Sequence, residues 1–118
     1  MMAGKYGNKK TIIRGLEFAS KREAARYVEL LAMQRAGEIY GLDCQSSFEL
    51  IPAQVAPSGR KERRVTYVAD FAYYRVSDGQ IDLVVEDVKS PATAKLPAYI
   101  IKRKLMLRVH GIEVVEIF

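Results

Sequence analysis

The chain has 118 residues, the length of one domain, so we expect a single core. A hydrophobic content of 49% with 28% charged residues is ordinary for a folded protein and excludes a disordered chain. The net charge of +5 favours a polyanionic partner, of which nucleic acid is the commonest.

Cysteine and histidine usage excludes two further classes of protein. Cys44 is the single cysteine, so it cannot form an internal disulfide, and one histidine cannot complete a Cys/His zinc cage. No apolar run approaches the ~18 residues of a membrane span, and Met1–Lys5 lack the apolar stretch of a secretory signal. We therefore expect a protein of the reducing cytoplasm without membrane contact.

The first third of the chain predicts an arm, a hairpin and a helix. Residues 1–11 form a polar, basic segment without periodicity, which we expect to be a flexible arm. Two short apolar runs around Arg14-Gly15 indicate a small hairpin or an extended lead-in. A helix is predicted over 21–36, because Ser20 and Glu23 fit a capping box and Gly37 supplies a C-terminal stop.

Strand-forming residues dominate the rest of the chain. The pattern predicts strands over 42–51, 65–74 and 81–89, the last two joined by a turn whose Asp-Gly pair tolerates positive φ. A second helix over 96–109 and a final strand over 112–117 follow. The expected fold is α/β, a mixed sheet flanked by helices in one domain that spans residues 1–118.

Two aspartates and a lysine stand out in the strands over 65–74 and 81–89. Side chains alternate along a strand, so Asp87 and Lys89 share a face that begins with three apolar residues. The short turn makes the two strands antiparallel neighbours, which can bring Asp70 beside Asp87. Adjacent carboxylates repel each other, and a divalent cation between them would relieve the repulsion. The alternative is that both aspartates lie near strand ends, solvated or paired with Arg or Lys.

Three segments carry a resemblance to a known superfamily. Tyr67-Val-Ala-Asp70-Phe and Val84-Val-Glu-Asp87-Val-Lys89 resemble the signature of the PD-(D/E)XK nucleases. Phe18-Ala-Ser20-Lys-Arg-Glu23-Ala-Ala-Arg26-Tyr27 resembles the Ser-x-x-Glu helix start of the branches related to phage and transposon-type endonucleases and Holliday-junction resolvases. The chain is similar over nearly its whole length to a family of small phage and prophage proteins of unknown function. The resemblance implies a restriction-endonuclease-like core in the order α-β-β-β-α-β and a bacterial host cytoplasm.

The resemblance also implies roles for particular residues. Asp70 and Asp87 would bind Mg²⁺ or Mn²⁺, and the backbone carbonyl of Val88 would add a ligand. Lys89 would orient or activate the attacking water and stabilise the charge on the phosphate. Glu23 would match the helical acid that completes the metal site in these branches. From the residues alone, Glu23 is interpreted as the third residue of a capping box, whose carboxylate would bond the Ser20 amide.

Other residues have weaker claims on function. Glu86 is predicted to face away from Asp87 and Lys89, because it is adjacent to Asp87 in a strand. Gln45 is a candidate for the site on resemblance only. Tyr67 is expected to pack in the core rather than stack on bases. Candidate DNA contacts are the basic residues of three clusters, each of which could equally be a solvated face: Lys9, Lys10, Arg60, Lys61, Arg63, Arg64, Lys102 and Lys104.

The resulting hypothesis is a metal-dependent endodeoxyribonuclease, acting on branched DNA or on recombination and replication intermediates. Enzymes that make two symmetric cuts are usually dimers, so a homodimer is expected. One alternative is a DNA-binding protein on a nuclease scaffold that does not cleave. Another is a protein-interaction subunit whose basic clusters bind an acidic partner. The latter predicts no steep salt dependence of binding to DNA.

Overall fold

A computed structural model describes residues 11–118 of the chain. Strands and helices alternate in the order that the sequence predicts, with short additional strands between them. The elements are β1 (Thr11–Ile13), β2 (Leu16–Phe18), α1 (Lys21–Arg35), β3 (Ile39–Ile51), β4 (Gln54–Val55), β5 (Lys61–Glu62), β6 (Val65–Ser77), β7 (Gln80–Val88), α2 (Pro97–Leu105) and β8 (Val115–Ile117). The predicted mixed α/β class is confirmed.

The helix α1 begins and ends where its capping residues predict. The side chain of Ser20 accepts a hydrogen bond from the amide of Glu23, which satisfies one free donor of the first turn. Gly37, at φ +78, follows the C-cap residue Ala36 and lets the chain leave the helix. The structure thus confirms the predicted helix to within one residue.

The main sheet has four strands in the order β3-β6-β7-β8. β3 pairs antiparallel with β6, and β6 pairs antiparallel with β7 through the predicted Asp78-Gly79 turn. β8 returns from α2 and pairs parallel with β7 at Glu86–Val88. At Glu86, β7 therefore has a partner strand on each side, and beyond it β7 pairs with β8 alone.

Each helix covers its own part of the sheet. Leu30 of α1 packs in one buried cluster with Phe71 and Tyr73 of β6. Tyr99 of α2 and Met106 pack in a second cluster, with residues of β6 and β7 that include Ala72, Val85 and Tyr67. The two clusters lie on the two faces of the sheet, because neighbouring residues of β6 belong to different clusters.

Several bounds differ from the sequence prediction: β3 begins at Ile39 instead of residue 42, and β6 continues to Ser77 instead of residue 74. The helix predicted over 96–109 is α-helical only to Leu105, and a π-helical turn over Met106–His110 continues it to Gly111. The final strand begins at Val115 instead of residue 112, because it pairs with only three residues of β7. The connection before β6 holds the short β4–β5 hairpin. Within residues 11–118, both helices are too short and too polar to cross a lipid bilayer.

Candidate functional site

The site lies where β6 and β7 part. Their ladder ends at the Phe71–Glu86 pair, and Asp70 and Asp87 are the next residues on each strand. There each carboxylate bonds to the other strand. Asp87 Oδ1 accepts from the amide of Asp70 at 2.9 Å, and Asp70 Oδ2 accepts from the amide of Val88 at 2.9 Å. The predicted meeting of the two aspartates is therefore present, and side chains replace the backbone ladder at this point.

The alternation of side chains along β6 shifts at the same position. On β6, Tyr67 and Ala69 belong to the cluster under α2, whereas Phe71 and Tyr73 belong to the cluster under α1. Alternation would keep these odd-numbered residues on one face, so it shifts by one between Ala69 and Phe71, at Asp70. On β3, Gln45 lies at this level, between the residues that pair with Ala69 and Phe71, and has φ +56. A positive φ in a non-glycine strand residue is uncommon and marks a local distortion of the backbone.

Asp87 is held on the α2 side of the sheet. Its carboxylate is only 3% exposed and accepts a hydrogen bond from the hydroxyl of Tyr67. Lys89 Nζ lies 3.5 Å from Asp87 Oδ2 and 4.1 Å from the centre of the Tyr99 ring. The ion pair and the aromatic ring fix the ammonium group beside the carboxylate. Burial raises the pKa of Tyr67, and its bond to Asp87 raises it further, so the hydroxyl remains a donor.

Asp70 faces a cleft beside the start of α1. The cleft has a volume of about 300 Å³ and is lined by Glu17, Phe18 and Ala19 before α1, by Glu23, and by Gln45 and Asp70. Glu23 lines it from the first turn of α1. Gln45 Nε2 lies 3.4 Å from Asp70 Oδ1, at the long end of a hydrogen bond. The structure therefore brings Glu23, Asp70, Asp87 and Lys89 to one end of the sheet.

Negative charge is in excess at this end of the sheet. Burial raises the pKa of Asp70 to about 7, and the charges of Asp87 and Glu23 add to the rise, while the Val88 amide opposes it. Burial also raises the pKa of Glu23, and the charge of Asp87 raises it further, while the backbone of Ala19 and the ammonium of Lys89 lower it. Three carboxyl groups thus interact with one another around a single ammonium group.

The start of α1 places Glu23 at the helix cap and beside the cleft, but its carboxyl group contacts the backbone of Ala19 and not the Ser20 amide that the capping box predicts. The amide of Glu23 completes one half of the capping box with Ser20. Its carboxyl group interacts with the backbone of Ala19, and the same carboxyl group faces the cleft with Asp70. Capping and a position in the site are therefore compatible, because the cap bond uses the backbone of Glu23 and leaves its side chain at the cleft.

Two arginines of α1 connect the helix to the end of β7. Arg26 donates to both carboxylate oxygens of Glu86, at 2.9 and 2.6 Å, and Tyr73 donates to the same carboxylate. Arg22 Nη1 donates to the carbonyl of Lys89 at 3.1 Å. Glu86 therefore faces α1, on the side of the sheet opposite Asp87, as the alternation along β7 predicts. These contacts fix the helix that carries Glu23 against the strand that carries Asp87.

The carboxylates do not converge on one point. Within residues 11–118, no three His, Cys, Asp or Glu side chains are arranged to hold a metal ion. The reason is visible in the contacts of Asp87, since one oxygen accepts from the Asp70 amide and the other from Tyr67 beside Lys89. The backbone amide of Val88, and not its carbonyl, makes the contact with Asp70 that the structure shows.

The candidate DNA contacts lie away from this cleft. Lys9 and Lys10 fall outside the described residues. Arg60 is ion-paired with Glu62 at 3.0 Å on the β4–β5 hairpin. The other five candidates are not buried. Lys61, Arg63 and Arg64 belong to the same connection, and Lys102 and Lys104 lie on α2. None of these side chains lines the cleft beside Asp70.

Sequence reasoning missed the residues that hold the site together. Tyr67 was expected to pack in the core, and it does, but its hydroxyl also binds Asp87. Tyr99 gave no signal, because a tyrosine at that spacing is common on any helix. A signal was available for Arg26, since a glutamate inside an apolar strand needs a cationic partner.

The fold and the site define a mixed α/β domain with an acidic cleft where two antiparallel strands separate. The chain belongs to the family described as "Protein of unknown function (DUF1064)", which it matches over residues 3–114. No match was found among curated proteins or among solved structures.

Proposed function

We propose that the protein is a metal-dependent endodeoxyribonuclease of the PD-(D/E)XK type that acts in the bacterial cytoplasm. One observation carries the proposal: Asp70 and Asp87 meet where β6 and β7 separate, and Lys89 Nζ lies 3.5 Å from Asp87. The order of α1, β3, β6, β7, α2 and β8 supports it, because the superfamily core has the same order.

The carboxylates at this end of the sheet suit a hard divalent cation. Glu23, Asp70 and Asp87 offer carboxylate oxygens, which Mg²⁺ and Mn²⁺ prefer as ligands. Burial and mutual repulsion raise the pKa of Asp70 to about 7, so the site is short of positive charge. Asp70 and Asp87 would hold the ion, with Glu23 across the cleft and the Val88 carbonyl as a further donor. Such an ion lowers the pKa of the attacking water and neutralises charge on the phosphate.

The residues around the cleft have distinct tasks in this proposal. Tyr67 holds Asp87 through its hydroxyl, and the Tyr99 ring holds the Lys89 ammonium group at the same carboxylate. Lys89 is a compact cation, which orients the attacking water and stabilises the negative charge that develops on the phosphate. Gln45, whose amide group reaches Asp70, is placed to orient that carboxylate at the mouth of the cleft.

The test is cleavage of supercoiled plasmid with Mg²⁺ or Mn²⁺ and with EDTA. We expect metal-dependent nicking by the wild type and a loss of about 10²–10³-fold or more in Asp87→Asn and Lys89→Met. Asp82→Asn is the matched control, because Asp82 is an exposed aspartate of the same strand. Equal rates for Asp87→Asn and Asp82→Asn would overturn the proposal. A panel of linear, flapped, forked and four-way-junction DNA then defines the substrate.

The contacts of Asp87 favour a second candidate function, a DNA-binding protein that does not cleave. Asp87 is 3% exposed and both its oxygens already accept hydrogen bonds, so ligation of a metal would need some of these contacts to change. In this case the wild type binds DNA, with a slope of log K against log salt near −0.9 per phosphate contact, but never cuts it with any divalent metal. Equal binding by Asp87→Asn would also be expected.

A further inference from the structure

One face of the sheet has an apolar patch that neither helix covers. It consists of Tyr40 on β3, Tyr74 and Val76 on β6, and Ile81 and Leu83 on β7. Each of these side chains is between 37% and 68% exposed. We call these five residues the hairpin patch, because four of them lie on the β6–β7 hairpin.

The hairpin patch is continuous across three strands. Tyr40 pairs with Tyr74, Tyr74 pairs with Leu83, and Val76 pairs with Ile81. Directly opposite residues share a face, so the side chains form adjacent cross-strand pairs on one surface. Gly41, at φ +66, allows close contact here, since a Cβ at that position would lie 3.2 Å from the Tyr74 ring. The Tyr74 ring therefore lies against the backbone of β3 and is held in place.

The position of the helices explains why the patch is open. The cluster under α2 reaches Ala72 and Val85 but includes no residue farther along the hairpin. The opposite face is covered only at the base of the hairpin, where Ile39 and Tyr73 are buried in the cluster under α1, whereas Arg75 and Asp82 farther out are exposed. At the other edge of β7, β8 pairs only with Glu86–Val88, so the described strands leave that edge unpaired from residue 80 to 85. The outer part of the hairpin therefore has one apolar face, one charged face and an open edge.

We propose that the hairpin patch binds a second copy of this chain across a two-fold axis. The exposed fractions correspond to an apolar area on the order of 400 Å². A stable dimer buries about 800 Å² per partner, of which about 65% is apolar in homodimers, so the patch supplies most of the apolar area required. In a two-fold interface the same surface contacts itself, which an apolar patch does without repulsion.

Charge favours a second copy over nucleic acid at this face. All five residues of the patch are uncharged, so it offers no cation to a phosphate backbone. The nearest charged residues along the strands, Arg75 and Asp82, pair with each other in register and alternate to the opposite face. The net charge of +5 opposes association of two chains, and an uncharged contact surface avoids adding to that cost.

The test is the molar mass in solution, measured by light scattering after size-exclusion chromatography in the absence of DNA and metal. We expect the wild type at twice the 13.3 kDa of the chain, and Ile81→Glu at 13.3 kDa, because each copy would bring a carboxylate into the apolar contact. Ile81 is 68% exposed, so the substitution is compatible with folding, which circular dichroism checks. Ile101→Glu is the matched control, since Ile101 is a 58% exposed isoleucine on α2. Val76→Glu repeats the test if Ile81→Glu does not fold.

Three outcomes would overturn the proposal. The first is a wild type that has the mass of one chain at every concentration, and the second is an Ile81→Glu variant that remains dimeric. The third is a dimer that Ile101→Glu disrupts and Ile81→Glu does not, which would place the interface on α2. The proposal goes beyond nuclease activity, and because the mass needs neither metal nor DNA, its failure is distinguishable from failure of the proposed function.

Discussion

Glu86 and Asp87 are adjacent residues of β7, and they show how differently two buried carboxylates can be held. Glu86 is 1% exposed and Asp87 is 3% exposed, and each faces one side of the sheet. Glu86 is bound at both oxygens by Arg26 and also by Tyr73, so its charge is matched within a closed pair. Asp87 is bound by one tyrosine and one backbone amide, with Lys89 at 3.5 Å.

The difference between the two carboxylates lies in what surrounds them. In the Glu86 group, one guanidinium binds Glu86 and the exposed Glu29, and burial together with the bond to Glu86 raises the pKa of Tyr73 to about 12. The Asp87 group adds Asp70 and Glu23, whose pKa values both rise. Burial alone therefore does not mark a functional site, because it applies equally to both. An excess of like charge next to an open cleft distinguishes the Asp87 side.

The largest effect that we expect is on stability, at Glu86. Glu86→Gln leaves the Arg26 guanidinium, whose side chain is 20% exposed, with only the exposed Glu29 at 3.4 Å as an anionic partner, which costs about 2–3 kcal/mol of unfolding free energy. Asp87→Asn should cost less, about 1 kcal/mol, because the lost ion pair with Lys89 is offset by the removal of repulsion with Asp70, and an amide oxygen can still accept from the Asp70 amide. Urea unfolding measures both values. Equal losses in the two variants would contradict the comparison.

A smaller effect is expected in the pH dependence of stability in EDTA. The pKa of Asp70 is about 7 in the folded state and about 3.9 in an unfolded chain, so the folded state binds more protons between these values. Stability should therefore fall as pH rises from about 4 to about 7, by about 1 kcal/mol after allowance for solvent screening. The measurement is the melting temperature of the wild type against Asp70→Asn across this range.

The control for that experiment is the addition of Mg²⁺ above the pKa of Asp70. A cation that binds the folded state should recover the lost stability in the wild type but not in Asp70→Asn. Parallel pH profiles for the two proteins without metal would show that the carboxyl group of Asp70 does not carry an unfavourable charge.

Local signals explain which parts of the fold the sequence predicted. Ser20 and Gly37 gave the ends of α1, and Asp78-Gly79 gave the turn between β6 and β7, because caps and tight turns depend on a few neighbouring residues. Alternation along β7 placed Asp87 and Lys89 together and Glu86 on the other face. The end of α2 was wrong by four residues, since the π-helical turn at Met106–His110 continues the helical pattern without an α-helix.

The shift in side-chain alternation at Asp70 could not be predicted from such local signals. Strict alternation puts Asp70 on one face with Val68 and Ala72, but Val68 is exposed and Ala72 is buried under α2. The change in side-chain alternation accompanies the left-handed conformation of Gln45. Because Gln45 is not a glycine, the sequence gives no sign of that conformation. Tertiary contacts between β3 and β6 impose that conformation, and single-strand patterns do not contain them.

The smallest predicted effect tests this conformation directly. A non-glycine residue in the left-handed region costs about 1–2 kcal/mol, and glycine avoids that cost but loses about 0.5–1 kcal/mol in chain entropy. Gln45→Gly should therefore stabilise the fold by about 0.5 kcal/mol, since its only hydrogen bond in the described contacts is the long one to Asp70. Ser47→Gly, two residues along β3 in a regular strand conformation, should destabilise it by about 0.5–1 kcal/mol.

Thermal melts of the two glycine variants measure the sign of each change. We expect Gln45→Gly to raise the melting temperature and Ser47→Gly to lower it. Both residues are exposed on β3, but only Gln45 has a left-handed backbone. If both variants lose stability, then Gln45 is not strained. If Gln45→Gly gains stability while plasmid cleavage falls, then the side chain that orients Asp70 is kept at a cost in stability, as expected for a functional position.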